Sequence, residues 1–133
     1  MSTIRKIIDI DVPAAAVWDV IRDVAAVHTR LAPGFVIDTK LEGDVRIVTF
    51  ANGVVARERI IAIDDRLRRL AYSASSAQIE HHNASFEIVP LSDDQTRLLW
   101  TADVAPESAA ERIGSMMDQG GSVIRNTLMK AAG

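Results

Sequence analysis

The chain has 133 residues, 48% of them hydrophobic and 25% charged, enough for one domain with a sizeable core and too few for two of ordinary size. Fifteen Lys and Arg stand against 18 Asp and Glu, and the net charge of -3 offers no basic field to gather nucleic acid or anionic lipid. Cysteine is absent, which excludes a disulfide scaffold and thiolate chemistry; no apolar run approaches a bilayer span, and a soluble, cytoplasmic protein without stable membrane insertion is the expectation.

Ile4 to Val12 alternates in character and predicts a first strand. Pro13 suits the first position of a helix, and Val17, Val20, Ile21 and Val24 recur at helical spacing. A second short helical stretch is expected between Val24 and Leu31, ended by Pro33-Gly34. Strands follow over Phe35 to Leu41, Val45 to Ala51, Val54 to Ile63, Leu67 to Ser75, His81 to Val89 and Thr96 to Val104, divided by turn-forming residues of which Asn52-Gly53 is the strongest hairpin signal. With the first strand they make an antiparallel sheet of about seven strands. After Pro106 the period becomes helical, and Glu107 to Lys130 predicts a helix roughly 36 Å long. Its inward stripe is Ile113, Met116, Met117, Gly120, Ile124, Thr127 and Leu128. Gly120-Gly121 marks either a kink or a place where something bulky meets the helix backbone.

One strand raises a chemical question. Alternation places Ala56, Glu58, Ile60 and Ala62 on one face and Arg57, Arg59, Ile61 and Ile63 on the other. Glu58 therefore shares its face with small apolar residues, and an unpaired buried carboxylate costs several kcal/mol or takes up a proton. That face either meets water or lines a space holding water or ligand.

The order of strand, short helices, meander and long terminal helix describes an α+β fold in which a curved sheet wraps around one helix. Through IDVPAAAVWDVIRD (10–23), GDVRIVTFANG (43–53), RERIIAIDDRLRRLAYS (57–73), HHNASFEIVP (81–90) and WTADVAP (100–106) the chain resembles the helix-grip fold of the START and Bet v 1-like superfamily, the polyketide cyclase/dehydrase and lipid transport type. The resemblance spans nearly the whole chain, residues 1–133, as a single domain. It implies a cavity between the sheet and the terminal helix, mostly apolar with a few placed polar groups and roughly 300 to 1,000 Å³ in volume. The strand carrying Glu58 and the following Asp64-Asp65 are also similar to the matching strand and turn of plant abscisic-acid receptors, in which a glutamate points into the cavity.

Under this resemblance Glu58 is a cavity group that orients a polar ligand atom or water, and its alternative is a carboxylate at the cavity mouth or bonded to a neighbouring cation. If it is enclosed, desolvation would raise its pKa and make it a proton donor. His81 and His82 face opposite sides of one strand, so they cannot chelate one ion together, and with His28 the only other histidine no metal spacing exists. The parity of Ala84, Phe86 and Ile88 assigns His82 to the interior, as acid–base partner or as a satisfied semi-buried residue; a bulge would exchange it with His81. Val48, Phe50, Ile60, Ala84, Phe86 and Leu98 are candidate lining residues on the strands. Trp100 and Trp18 read as core, with Trp100 also a candidate wall, and Met116, Gly120 and Ile124 complete the expected lining from the long helix. Arg46 begins on the inward parity of its strand and suits a carboxylate.

The leading expectation is binding of a small hydrophobic molecule of lipid, polyketide or aromatic type. The alternative is a polyketide cyclase/dehydratase-like enzyme using Glu58 and His82 as acid and base on an enolisable carbonyl compound. A third is a protein-interaction module acting through Arg57, Arg59, Arg66, Arg68 and Arg69, which otherwise form a solvated sheet exterior. No nucleophilic triad, phosphate loop or dinucleotide fingerprint is present, and no cofactor is implied.

Overall fold

The computed structural model describes residues 1–132. Strand β1 (Ser2–Ile10) leads to helix α1 (Ala14–Ile21) and a single π-helical turn over Val27–Leu31. Strands β2 (Val36–Glu42), β3 (Val45–Phe50), β4 (Val55–Asp64), β5 (Arg69–Ser75), β6 (His81–Ser92) and β7 (Gln95–Ala105) then run as an antiparallel meander. A 3-10 turn at Glu107–Ala109 opens into helix α2 (Ala110–Ala132). The sheet has the order β1-β7-β6-β5-β4-β3-β2, so β1 closes back on β7 and the two edges are β1 and β2. This is the expected helix-grip plan.

Alternation along each strand separates a face packed against α2 from an outer face. Ile10, Leu98, Val104, Leu70 and Val48 are at most 2% exposed on the inner side. Helix α2 answers with Ile113, Met117, Ile124 and Leu128, all buried at helical spacing. The glycine pair does not interrupt the helix. A Cβ on Gly120 would lie 3.1 Å from Phe35 Cε2 and 3.4 Å from the Trp100 ring, and one on Gly121 would lie 2.9 Å from Ile8 Cδ1. Close approach of large side chains, rather than a kink, explains both positions.

The remaining differences from the sequence reading are local. The first strand stops at Ile10, because Val12 has turned inward and its carbonyl accepts a hydrogen bond from the buried Thr96 hydroxyl at 2.6 Å. Pro13 caps α1 instead of opening it, and the second helical stretch is one π turn. A bulge at Ile61 shifts the β4–β5 register. Ile60 pairs with Tyr72, but Ala62 pairs with Ala71 and Ile63 with Leu70. The alternation of burial continues past it: Ile61 and Ile63 are 59% and 41% exposed, whereas Ala62 is half-buried. Glu58 precedes the bulge and keeps its inward direction. Trp18, 6% exposed, donates its indole N–H to Asp65 at 2.9 Å, which ties α1 to the β4–β5 turn.

Candidate functional site

Between the inner face and α2 lie two small, partly open apolar pockets, the two lobes of a candidate cavity. One lobe, about 50 Å³, runs beneath the π turn among Val27, Leu31, Val48, Phe86, Gly120 and Ile124. The second, about 60 Å³, lies towards the start of α2 among His82, Ile113, Met116 and Met117. Phe35, Phe50, Glu58, Tyr72 and Trp100 border both. Each lobe has room for a few water molecules. Neither reaches the roughly 300 Å³ of a drug-sized ligand site. A single aromatic ring therefore requires the lobes to join by displacement of the side chains that border both.

The aromatic walls are ordered by mutual contact. Phe86 stacks on Trp100 with ring centroids 4.8 Å apart, and Phe35 meets Phe50 edge-on at 5.5 Å. Trp100 donates its indole N–H to the Tyr72 hydroxyl at 3.2 Å. Burial, with the Glu58 carboxylate nearby, pushes the Tyr72 hydroxyl well above its usual pKa, so it remains a neutral phenol. Its own proton has no acceptor among the described residues.

Glu58 does not sit alone. Arg46 stands opposite it on β3 and donates Nε–H to Oε1 at 2.7 Å, with both side chains at most 10% exposed. The Arg46 guanidinium also lies over the Tyr72 ring, 5.2 Å from its centroid. Of the alternatives open for Glu58, the structure shows the carboxylate bonded to a neighbouring cation, from which it accepts a hydrogen bond. The inward parity of Arg46 is explained by the carboxylate across the strand pair. The pair uses only Nε and Oε1. The Arg46 terminal nitrogens and Glu58 Oε2 have no partner among the described residues.

His82 faces the second lobe and His81 the outer surface, where its Nε2 meets Asn83 Oδ1 at 2.6 Å. No bulge exchanges the two, since β6 holds register with β7 from His81 to Pro90. Burial lowers the His82 pKa from 6.5 against the opposing pull of Glu58, leaving a neutral imidazole at physiological pH.

Of the other candidates, Val48, Phe50, Phe86, Trp100, Gly120 and Ile124 border the first lobe and Met116 the second. Ile60, Ala84 and Leu98 border neither; Ala84 and Leu98 are packed in the core at 4% and 0% exposure. Tyr72 and Phe35 were not picked out from sequence. The parity of Tyr72 with Leu70 on β5 carried a usable signal, whereas Phe35 precedes β2 and reaches the cavity only through its packing on Gly120. The arginines are spread along β4, the following turn and the start of β5, where Arg69 stands. Arg57 and Arg59 pair with Glu42 and Asp44 on the outer face, while Arg66 and Arg68 sit in the β4–β5 turn. Among the described residues no group of three or more His, Asp or Glu side chains is placed to hold a metal ion.

Residues 1–126 match the sequence profile of the polyketide cyclase/dehydrase and lipid transport family. The chain belongs to that family. Solved structures share its fold. It is similar to XoxI of Bacillus cereus, with 17% identity, TM-score 0.87 and coverage of 100% of this chain and 99% of that one. The Zhui aromatase/cyclase of Streptomyces sp. R1128 shares 16% identity and a TM-score of 0.76 over 98% of this chain and 93% of its own. A START superfamily protein of Mycobacterium smegmatis has 10% identity and TM-score 0.76 over 97% and 95%. No curated protein sequence matches. No helix among the described residues is long and apolar enough to cross a membrane.

Proposed function

We propose that this member of the family binds a small, electrically neutral and mainly apolar molecule whose single hydroxyl or carbonyl group seats on Arg46 and Glu58. The observation that carries this reading is the buried ion pair with uncommitted terminal N–H groups and a free carboxylate oxygen on the wall of an otherwise apolar cavity. A buried charge pair is seldom worth more for stability than well-packed apolar residues of the same volume. Its retention fits a task in recognition. The pair sums to zero charge and His82 is neutral, so a charged ligand would enter a low-dielectric space without a counter-ion. A hydroxyl would accept from Arg46 and donate to Glu58, and the aromatic walls would hold an adjoining ring.

The test is NMR titration of the methyl groups of Val48, Ile124 and Met116 with phenol, benzoate and toluene, preceded by native mass spectrometry for any adduct that copurifies. Saturable shifts with phenol, weaker ones with toluene and none with benzoate are expected. Benzoate binding as tightly as phenol, or no saturable binding by any of the three, would overturn the proposal.

A second reading has a specific observation behind it. His82 and Glu58 border the same lobe, and burial holds His82 as a neutral imidazole able to accept a proton. On an enolisable carbonyl compound His82 would serve as base while Arg46 stabilises the developing oxyanion, in a fold similar to that of the Zhui aromatase/cyclase. Catalysis predicts that His82→Gln leaves ligand affinity within about an order of magnitude and abolishes turnover. Equal loss of binding and turnover speaks for positioning alone.

A further inference from the structure

The two edges of the sheet differ. Strand β2 carries a bulge at Ile37, between its pairings Val36–Phe50 and Asp38–Thr49, and a bulge twists an edge away from further strand pairing. Strand β1 has none: it holds unbroken register with β7 from Ser2 to Ile10. Arg125 Nε donates to the Asp9 carbonyl at 3.0 Å from the side away from β7. Both backbone groups of a strand residue point the same way and alternate along the chain. Thr3, Arg5 and Ile7 therefore also turn their N–H and C=O outward, where no other strand pairs with them. An open groove of about 560 Å³ runs beside this edge, between β1 and α2.

The side chains along that edge are self-complementary. Ile7 is 59% exposed at its middle; Arg5, bonded through Nε to the Thr101 hydroxyl, stands two residues before it and Asp9, whose carboxylate accepts from Arg97 at 2.8 and 3.0 Å, two residues after. We propose that two copies of this chain pair antiparallel, β1 to β1, about a two-fold axis through Ile7. In this register Arg5 lies opposite the partner's Asp9, Ile7 opposite the partner's Ile7, and Asp9 opposite the partner's Arg5. These are the residues whose backbone groups face outward, so each becomes a hydrogen-bonded pair of the ladder. The same contacts are made twice, as an isologous interface requires. The apolar pair at the centre and the remaining lone pairs of each Asp9 carboxylate, which can accept from the partner's Arg5 beside Arg97, favour this register over its neighbours: a shift of two residues sets Arg5 against Ile7 and removes both contacts. The Asp9 carbonyl has a second lone pair for the partner's N–H while Arg125 keeps the first.

The absence of cysteine makes the test direct. Hydrogen-bonded antiparallel partners have Cα atoms about 5.5 Å apart. That separation lies within the span of a disulfide. Ile7→Cys is therefore expected to form an intermolecular disulfide under mild oxidation, faster than Ile37→Cys on the bulged edge β2. Sedimentation of the wild-type chain is expected to report a concentration-dependent dimer, and Arg5→Glu, which sets like charges opposite each other twice, to raise the dimer Kd roughly tenfold with an unchanged circular dichroism spectrum. A wild-type monomer throughout the soluble range, equal cross-linking at the two edges, or an undiminished Arg5→Glu dimer would each overturn the proposal. None of these outcomes bears on the cavity, whose occupancy is read by the NMR titration.

Discussion

Strand β4 carries the same pairing chemistry on both faces with opposite consequences. On the inner face Arg46 and Glu58 meet at 2.7 Å with their side chains 4% and 10% exposed; on the outer face Arg59 and Asp44 meet at 3.2 Å with both side chains 60% exposed. The outer pair is screened by water and salt, and each partner alone would be solvated. The inner pair has exchanged water for a phenol ring, an aromatic wall and one bond. Each inner partner is therefore the condition for the other's presence, and the free remainder of their hydrogen-bonding capacity points to a ligand.

The largest expected effect comes from breaking that inner pair on one side. Arg46→Met should cost about 3 to 5 kcal/mol in urea denaturation, because it strands the Glu58 carboxylate. Arg46→Met combined with Glu58→Leu should recover most of this loss and abolish the preference for phenol over toluene. If the double variant were as unstable as the single one, packing instead of charge would distinguish the faces.

The glycines of α2 sharpen the comparison next. Gly120→Ala presses a methyl on Phe35 and Trp100, rings already held by other rings; Gly121→Ala meets only the flexible tip of Ile8. Overpacking costs about 1 to 3 kcal/mol, against about 1 kcal/mol gained in helix propensity. Gly120→Ala should thus lose roughly 1 kcal/mol and weaken phenol binding as Phe35 moves, with Gly121→Ala nearer to neutral in both measurements.

Titration separates the faces again. Because the folded pKa of His82 is lowered from 6.5, the unfolded chain takes up its proton first as pH falls. Its contribution is intact above about pH 6.5 and declines as pH drops towards the lower folded value. His82→Phe should flatten that slope of stability between about pH 7 and pH 5, measured by denaturation at several pH values. The carboxyls of Asp9 and Asp65, held below 3.8 by Arg97 and Arg22, respond at lower pH, where protonation releases those bonds. The smallest effect is that of Arg59→Ala, expected to change stability by no more than about 1 kcal/mol and ligand binding not at all. A larger loss would mean that the outer pair is as consequential as the inner one.

Much of this division was readable from residue order. Period-two alternation on β4 and β6 assigned Glu58 and His82 to the inner face, and helical spacing after Pro106 gave α2 its buried stripe. The register shift at Ile61 was not readable, since a bulge leaves no mark in a run of apolar residues. Arg46 and Glu58 were each placed inward, yet their union depended on the β3–β4 register that sets one opposite the other. Tyr72 went unnoticed because an isolated tyrosine on a strand serves equally well as core or as cavity wall.

The sequence by itself determined the order of elements, the helix-grip plan and which side of most strands faces inward, because periodicity and turn chemistry are local properties. Only the tertiary structure decided that Glu58 has a cation, that the cavity is divided into two small lobes and that Gly120 admits Phe35 and Trp100. Those facts depend on distances between residues far apart in the chain, which pairing register and helix placement alone determine.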